Sequence, residues 1–437
     1  MSVRGSYSNG IFQGRSGKER KVSYVFRKTP ENQHCAGINS VLLSPDGTRL
    51  YTAGRDSTVK RWGLQGSSPT FEGSFEGHAD WVNDLVLLEN TLVTCSSDST
   101  VKAWRAHTGE CLRTLSKHTD YCQALASASQ VGRFASAGLG GELFLWDLAQ
   151  AVGPSAQSHP DEPSTYSPLA ALGHKESVYS LAMNPTGTVM VSGSTEKALR
   201  VWDPRTGSKN FKLKGHVGNV RAIALDPNGR LCLSGSSDNL IRLWDLGQQR
   251  CVQTFAVHTD SVWALTTDAS FNTVYSGGRD CKVYVTDLHT RESQLLFQES
   301  HPVNKLALEP ESLGGGVWAA TPDCSLRKWF GRSAVEPGEA TSSRGARRFV
   351  AGSSPFARQR VSLDLPTPTP AQNSPAVTIA GCPGIVRHAI MNNRLHVLTM
   401  DSAEHIALWD ITRGEVAAEY GRVNFEAKEQ ELMEQVR

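Results

Sequence analysis

Short apolar runs of strand length recur along most of this chain, broken by turns rich in Gly, Asp, Asn, Ser and Pro. One composite unit returns repeatedly. Its clearest copy starts at Gly215 and reads GHVGNVRAIALDPNGRLCLSGSSDNLIRLWDL. Gly-His opens the unit; an apolar strand, a turn, a strand ending in SGSSD and a strand ending in Trp-Asp follow. The closing position is Trp62, Trp104, Trp146, Trp202, Trp244, then Thr286, then Trp329 and Trp409, at spacings of 42, 42, 56, 42, 42, 43 and 80 residues. Six residues earlier sits an acid: Asp56, Asp98, Glu196, Asp238, Asp280 and Asp323. Gly140 breaks this rule in the third unit, and Asp401 is displaced by two in the eighth. Four residues before the acid position comes a hydroxyl: Thr52, Thr94, Ser136, Ser192, Ser234 and Ser276. His78, His118, His174, His216 and His258 open their units.

A period in the low forties with Gly-His and Trp-Asp ends resembles the WD repeat, one four-stranded blade per unit. A lone blade cannot bury both of its faces, so blades must stack into a ring, and closure removes most exposed edges. The pattern therefore predicts an all-β WD-repeat β-propeller of eight blades, each of four antiparallel strands, over residues 21–420. A disordered lead over 1–20 precedes it and a charged helical stub over 421–437 follows. Two strands compete to lock the ring, KVSYVFR at 21–27 and EVAAEYG at 415–421. Two insertions interrupt the period. The first, AQAVGPSAQSHPDEPSTYSP, reads as a polar addition on the rim. The second, 331–376, is rich in Ser, Pro and Arg and reads as a disordered loop between the seventh and eighth blades. Its Ser354, Thr367, Thr369 and Ser374 each precede Pro, so a phosphorylated or docking segment stands beside the plain spacer as a reading.

Composition narrows the function classes. Lys+Arg 45 against Asp+Glu 43 leaves a net charge of +2, which gives no general field for nucleic acid or an anionic membrane. No apolar run is long enough to span a bilayer, and the first residues lack the apolar centre of a secretory signal. Nine scattered Cys, none in a C-x-x-C pair, argue against a zinc site and for reduced thiols. The expectation is a protein of nucleus and cytoplasm with no metal, no cofactor and no small-molecule substrate.

His216, Ser234 and Asp238 are the residue types of a serine hydrolase, yet the same trio returns in most units, joined by the closing Trp. A catalytic site is singular, so the repeated set (His78, Thr94, Asp98 and Trp104; His216, Ser234, Asp238 and Trp244) is read as a buried hydrogen-bond chain. No nucleophile elbow, P-loop or H-E-x-x-H is present, so no enzyme is expected. Binding is expected at one mouth of the ring, from two residues near the start of each innermost strand and the residue before each acid. These are Trp81 and Asn83, Tyr121 and Gln123, Ser177 and Tyr179, Asn219 and Arg221, Ser261 and Trp263, with Arg55, Ser97, Leu139, Thr195, Ser237 and Arg279. Aromatics and Arg dominate, and those types make interface hot spots.

The strings TAGRDSTVKRW, DWVNDLVL, SAGLGGELFLWD, LSGSSDNLIRLWDLGQQRC and VYSGGRDCKVYVTDL are similar to those of the WD repeat protein forty-eight family, from about Lys21 to Glu426. The likeness extends to departures from the repeat, such as Glu196 and Thr286. It implies a non-catalytic partner that binds the fingers region of a ubiquitin-specific protease and activates it. The protease-binding surface would centre on Arg221, Trp263 and Arg279, with Arg221 replacing a Lys of the better-known members. That family continues into an ancillary domain and a SUMO-like domain that recruits substrates. This chain ends at NFEAKEQELMEQVR, so a short form that binds the protease without recruiting substrates is expected. Two rivals remain open. Trp202-Asp203-Pro204-Arg205 forms a W-D-x-R box, with which substrate receptors of cullin–RING ubiquitin ligases dock their adaptor. A reader of phosphopeptides or histone tails would use Arg55 and Arg279 as anion ligands.

Overall fold

The computed structural model describes residues 32–66, 68–153, 167–171, 173–310, 315–331 and 368–435. They build eight four-stranded antiparallel sheets, the expected number of blades, each with its strands in simple chain order. The innermost strands are Ile38–Leu43, Val82–Leu88, Cys122–Ala128, Val178–Met183, Val220–Leu225, Val262–Thr267, Lys305–Leu308 and Ile385–Ile390. The lead 1–20 and the strand expected at 21–27 lie outside the described residues.

The core lies between blades, because a twisted sheet buries its face only against the next one. Leu199, Val201 and Leu213 of the fourth blade pack with Val220, Cys232 and Trp244 of the fifth. The Gly of the recurring SGS motif exists for this approach. A Cβ on Gly193, Gly235 or Gly277 would come within 2.6, 2.7 or 2.8 Å of Val220, Val262 or Val303 of the following blade. The ring contact runs from the seventh blade directly to the first: Ile38, Val41 and Trp62 share a core with Ala307, Trp318 and Leu326. The backbone N–H of Ile38 donates to Thr321 O at 2.9 Å across that seam. The eighth sheet builds a separate core, burying Leu398 and Ile406 under Phe425 and Leu432 of a terminal helix, Phe425–Gln435. EVAAEYG is the outer strand of that eighth sheet, Glu415–Gly421.

Both insertions enter at the same topological point, between third and outer strands. The first opens as a short helix, Leu148–Val152, capped by Asp147 and burying Ala151, before the outer strand Leu169–Ala170 of the third blade. Its beginning is thus packed rather than a polar addition. The second separates Leu326–Trp329 from Val377–Ile379, so it lies within the seventh blade and not between the seventh and the eighth. Its end is ordered: Ala371 and Gln372 donate backbone bonds to Leu295 and Leu296 of the sixth blade, and Ala376 to Lys328. Edge strands carry unpaired backbone groups, and this pairing satisfies them. Residues 332–367, with Ser354 and Thr367, lie outside the described residues.

Four blades, the first, second, fifth and sixth, are latched internally by the complete recurring trio. In the fifth, His216 bonds Asp238 through Nδ1 at 2.9 Å and Ser234 through Nε2 at 2.7 Å, and the Trp244 indole donates to the same hydroxyl at 2.8 Å. In the second, His78, Asp98, Thr94 and Trp104 repeat it at 2.8, 2.7 and 2.9 Å. The first blade has the same latch around His34, with Asp56 at 2.8 Å and Thr52 at 2.7 Å. Ser234 and Thr94 are fully buried and already engaged by His and Trp, which suits a structural hydroxyl and not an exposed nucleophile.

The latch fails in informative ways. With Gly140 in place of the acid, His118 keeps Ser136 at 2.7 Å but its Nδ1 makes no hydrogen bond; Glu142 stands 3.5 Å away and takes the Thr119 N–H instead. In the fourth blade Glu196 turns toward Arg200 and Lys212 and sits 3.4 Å from His174. The seventh blade substitutes buried carboxylates: Trp329 donates to Glu299 at 2.6 Å and Trp318 to Glu309 at 2.7 Å. Arg327 and Lys328 neutralise those two acids at 3.1 and 2.7 Å. In the sixth, Thr286 replaces the Trp and pairs with Ser293 at 2.8 Å, while the Tyr284 ring meets His258 edge-on.

Truncating a buried Trp removes both packing and the indole bond, so Trp244→Ala should cost about 3–5 kcal/mol in denaturant unfolding. An unchanged melting temperature would refute the latch. The latches also set a pH dependence. Burial and then Arg200 push His174 down to about 4, and burial lowers His78 as well. Between their ordinary 6.5 and those lowered values the unfolded chain binds protons that the fold refuses, so stability falls as pH falls through that window. For Asp238 burial opposes ionisation, but the His216 bond and charge and two backbone N–H groups hold it at about 2 against an ordinary 3.8. Its contribution is complete above 3.8 and is lost as pH falls toward 2. Melting temperature followed from pH 7.5 to 3 should therefore drop in two stages, and His174→Gln should flatten the first; an identical profile in that variant contradicts the account.

Candidate interaction surface

The innermost strands of the first six blades each begin with a β-bulge, at Ile38/Ser40, Val82/Asp84, Cys122/Ala124, Val178/Ser180, Val220/Ala222 and Val262/Ala264. A bulge leaves one residue out of the ladder and re-aims its side chain. Those residues are Asn39, Asn83, Gln123, Tyr179, Arg221 and Trp263, and Asn304 takes the corresponding place in the seventh blade. All seven line one cavity of about 560 Å³ at the mouth of the ring.

Six of the seven positions divide into two halves with different work, and Gln123 of the third blade stands between them. On one side Asn304 donates its amide to Ile38 O at 2.9 Å, Asn39 to Val82 O at 3.1 Å, and Asn83 to Cys122 O at 2.8 Å. Each Asn thus clamps its blade to the first innermost residue of the next. On the other side Tyr179, Arg221 and Trp263 make no such bond. Arg221 instead lies flat over Tyr179, its guanidinium carbon 3.9 Å from the ring centre. Large aromatic and cationic groups therefore occupy positions for which this same chain uses Asn as the structural solution.

One layer deeper, Asp84 ties four blades together. Ser40 and Lys305 each donate to its Oδ1 at 2.9 Å, and the Leu125 N–H donates to Oδ2 at 3.1 Å. Above it Arg55 donates to Asn39 at 2.8 Å and covers Trp81 at 4.8 Å. Trp81 and Tyr121 stand out at the rim, each nearly half exposed. The structure thus gathers Arg55, Trp81, Tyr121, Tyr179, Arg221 and Trp263 around one opening. Arg279 does not line it; it projects from the rim, 3.7 Å from Asp260. Arg55 and Arg279 therefore do not share the cavity as a pair of anion ligands would. Arg205 of the W-D-x-R box lies in the turn after a third strand and grips its own Asp203 with two bonds, 3.1 and 2.9 Å.

The profile of the family described as WD domain, G-beta repeat, matches residues 26–63, 69–105, 109–147, 166–203, 207–245 and 249–287, more than half the chain. The chain belongs to the WD-repeat family. Each matched WD repeat after the first is offset from the blades by one strand. The stretch 69–105 starts with the outer strand Thr70–Glu76 of the first blade and ends with the third strand of the second. Each of these five WD repeats therefore bridges two blades, which ties neighbours covalently as well as by packing. The matches stop at 287, where the His latch also stops and Glu299 and Glu309 take over as indole acceptors.

Sequence reasoning overlooked His34, whose 22-residue distance to Asp56 equals that of His216 to Asp238 and was the available signal. It also overlooked Asn39, Asn304, Asp84 and Lys305; a charge inside a short apolar strand, as in VNDLVLL, was the hint there. If Asn is structural and Trp263 is not, Asn83→Ala should lose about 1–3 kcal/mol of stability, whereas Trp263→Asn should leave the melting temperature within a degree or two. Equal losses in both variants would erase the distinction between the halves.

Proposed function

We propose that this WD-repeat protein is a non-catalytic scaffold that binds and activates a ubiquitin-specific protease, in nucleus and cytoplasm, through the half of the ring mouth carrying Tyr179, Arg221 and Trp263, extended by Arg279 on the rim. The observation that carries a docking role is the replacement of clamping Asn by Tyr, Arg and Trp at equivalent bulge positions. Those types supply most binding energy in protein interfaces, through buried area and charge-assisted hydrogen bonds. Trp81, Tyr121 and Arg55 continue the surface toward the second blade. The likeness of the chain's strings to the WD repeat protein forty-eight family supplies the identity of the partner, and in that family the contact centres on the positions of Arg221, Trp263 and Arg279. Activation would then be exerted from outside the protease's own catalytic centre.

The test is capture of purified ubiquitin-specific proteases by wild type and by Trp263→Asn, Arg221→Glu and Arg279→Glu, with melting temperatures measured alongside. Hot-spot replacement should weaken capture by about thirtyfold or more without unfolding. Undiminished capture by all three variants would remove the assigned surface. Loss of a cullin adaptor in Arg205→Ala, with no protease bound by wild type, would establish the ligase-receptor reading instead.

A further inference from the structure

We propose that Cys95 and Cys122 form a reversible disulfide site, which hydrogen peroxide closes to staple the second blade to the third. It does not depend on the protease surface.

The two thiols meet because of where the repeat puts them. Cys95 holds the ladder position of Ala53, Ala137, Gly193, Gly235 and Gly277, each paired with the first residue after its bulge. Cys122 holds that of Ile38, Val82, Val178, Val220 and Val262, the first residue of each innermost strand. These two positions face each other where neighbouring blades come closest. A Cβ on Gly193, Gly235 or Gly277 would lie 2.9, 3.1 or 3.0 Å from the Cβ of Val220, Val262 or Val303 in the next blade. Ala53 shares a core with Val82 in the same way, and Ala137 with Val178. Of these six interfaces, that between the second and third blades alone sets Cys against Cys, and both are fully buried in one core. Where both residues carry a Cβ, the blades must part until those atoms stop overlapping. A disulfide holds its own two Cβ atoms about 3.8 Å apart, so the contact suits the bond. Both residues are free thiols, and Cys122 Sγ donates to Ala137 O at 3.5 Å.

Their surroundings give the two thiols different parts. Burial opposes ionisation of Cys122, but the Cys95 thiol and then His118 pull it below its ordinary 9.0. Burial and the Cys122 thiol push Cys95 the other way. His118 stands beside this pair with an Nδ1 that lacks the acid holding His34, His78, His216 and His258, because Gly140 occupies that position. The thiolate is the nucleophile in thiol oxidation, so Cys122 reacts first. Its sulfur takes one oxygen of hydrogen peroxide as sulfenic acid, and the other oxygen leaves with the thiol proton as water. The Cys95 sulfur then attacks the sulfenic sulfur, which closes the S–S bond and releases a second water. The two thiols give up two electrons and two protons, and the peroxide takes up both. Because both sulfurs are buried, the step requires the two blades to part locally. Peroxide is close to water in size, and the third blade is held by one latch bond fewer than the second.

The test treats the purified full chain with hydrogen peroxide, then blocks remaining thiols under denaturing conditions and digests without reduction for mass spectrometry. Wild type should yield the peptides of Cys95 and Cys122 linked, two hydrogens lighter than their sum, and dithiothreitol should release them. The staple should raise the melting temperature by at least about 2 °C, since it restricts the unfolded chain. Cys95→Ala and Cys122→Val each restore a residue that neighbouring interfaces use at that position, so both should fold, form no link and show no gain with peroxide. Recovery of Cys95 and Cys122 as thiols after a half-buried thiol such as Cys251 has been oxidised would overturn the site. So would a peroxide-induced gain in melting temperature that Cys122→Val retains.

Discussion

A buried tryptophan has one N–H that must find an acceptor, and the architecture of this molecule follows from meeting that demand blade after blade. The indole fills the space between two sheets, so it cannot turn toward water. A hydroxyl on the neighbouring strand takes its proton, a histidine takes the hydroxyl's, and an acid fixes the histidine. Each step removes an unsatisfied group that the previous one created, and so the four residue types recur together. The seventh blade shows that the demand, and not the particular residues, is what is fixed. Glu299 and Glu309 accept from Trp329 and Trp318 directly, at the cost of two buried charges that Arg327 and Lys328 must offset. In the eighth sheet the Trp409 indole donates to Thr399. Where no Trp is present, at Thr286, a short hydroxyl pair with Ser293 suffices.

Once the latches hold each sheet, the innermost strands are free to differ, and they differ in a patterned way. The bulge that starts most of them exposes one side chain per blade to the mouth of the ring. Three consecutive blades, the seventh, first and second, use that side chain to grip the next blade, and these flank the seam where the ring contact closes. In the fourth, fifth and sixth blades the equivalent side chains are Tyr179, Arg221 and Trp263, which make no such clamp. Stability is concentrated at the seam, which leaves the opposite arc able to carry Tyr179, Arg221 and Trp263. Function here occupies positions that closure has released.

The blades were legible in the sequence because their period, the Trp, the hydroxyl and the acid are all local in spacing. The aromatics of the mouth were legible for the same reason, since Trp81 and Tyr121 share one fixed offset from their His, and Tyr179 and Trp263 share another. Partnerships across blades were not. Asp84 and Lys305 are more than two hundred residues apart, and nothing in VNDLVLL or VNKLAL says that the two charges meet. Nor could spacing show that Arg279 stays on the rim while Arg221 turns inward, because that depends on the ring stacking Arg221 against Tyr179. The second insertion was placed one strand too late for a related reason. Val377–Ile379 is only three residues long and carries no repeat signature, so its pairing with Leu326–Trp329 is visible only in space.

Both insertions and the W-D-x-R turn share one end of the sheets, and the bulges share the other. In the fifth blade the bulge end is marked by the Ser237 N–H bonding Asn219 O, and the far end by Leu246 N–H bonding Arg230 O. The connections between third and outer strands all lie at that far end, where a chain can leave and return without crossing a blade latch. Length added there is cheap, because closing a longer loop adds entropy cost only slowly with its size. Length added at the bulge end would instead separate His from hydroxyl and acid and break the latch. The two mouths of the ring are therefore under opposite constraints. The far one tolerates growth and composition change, while the near one holds a fixed spacing and varies only in which side chain each bulge presents.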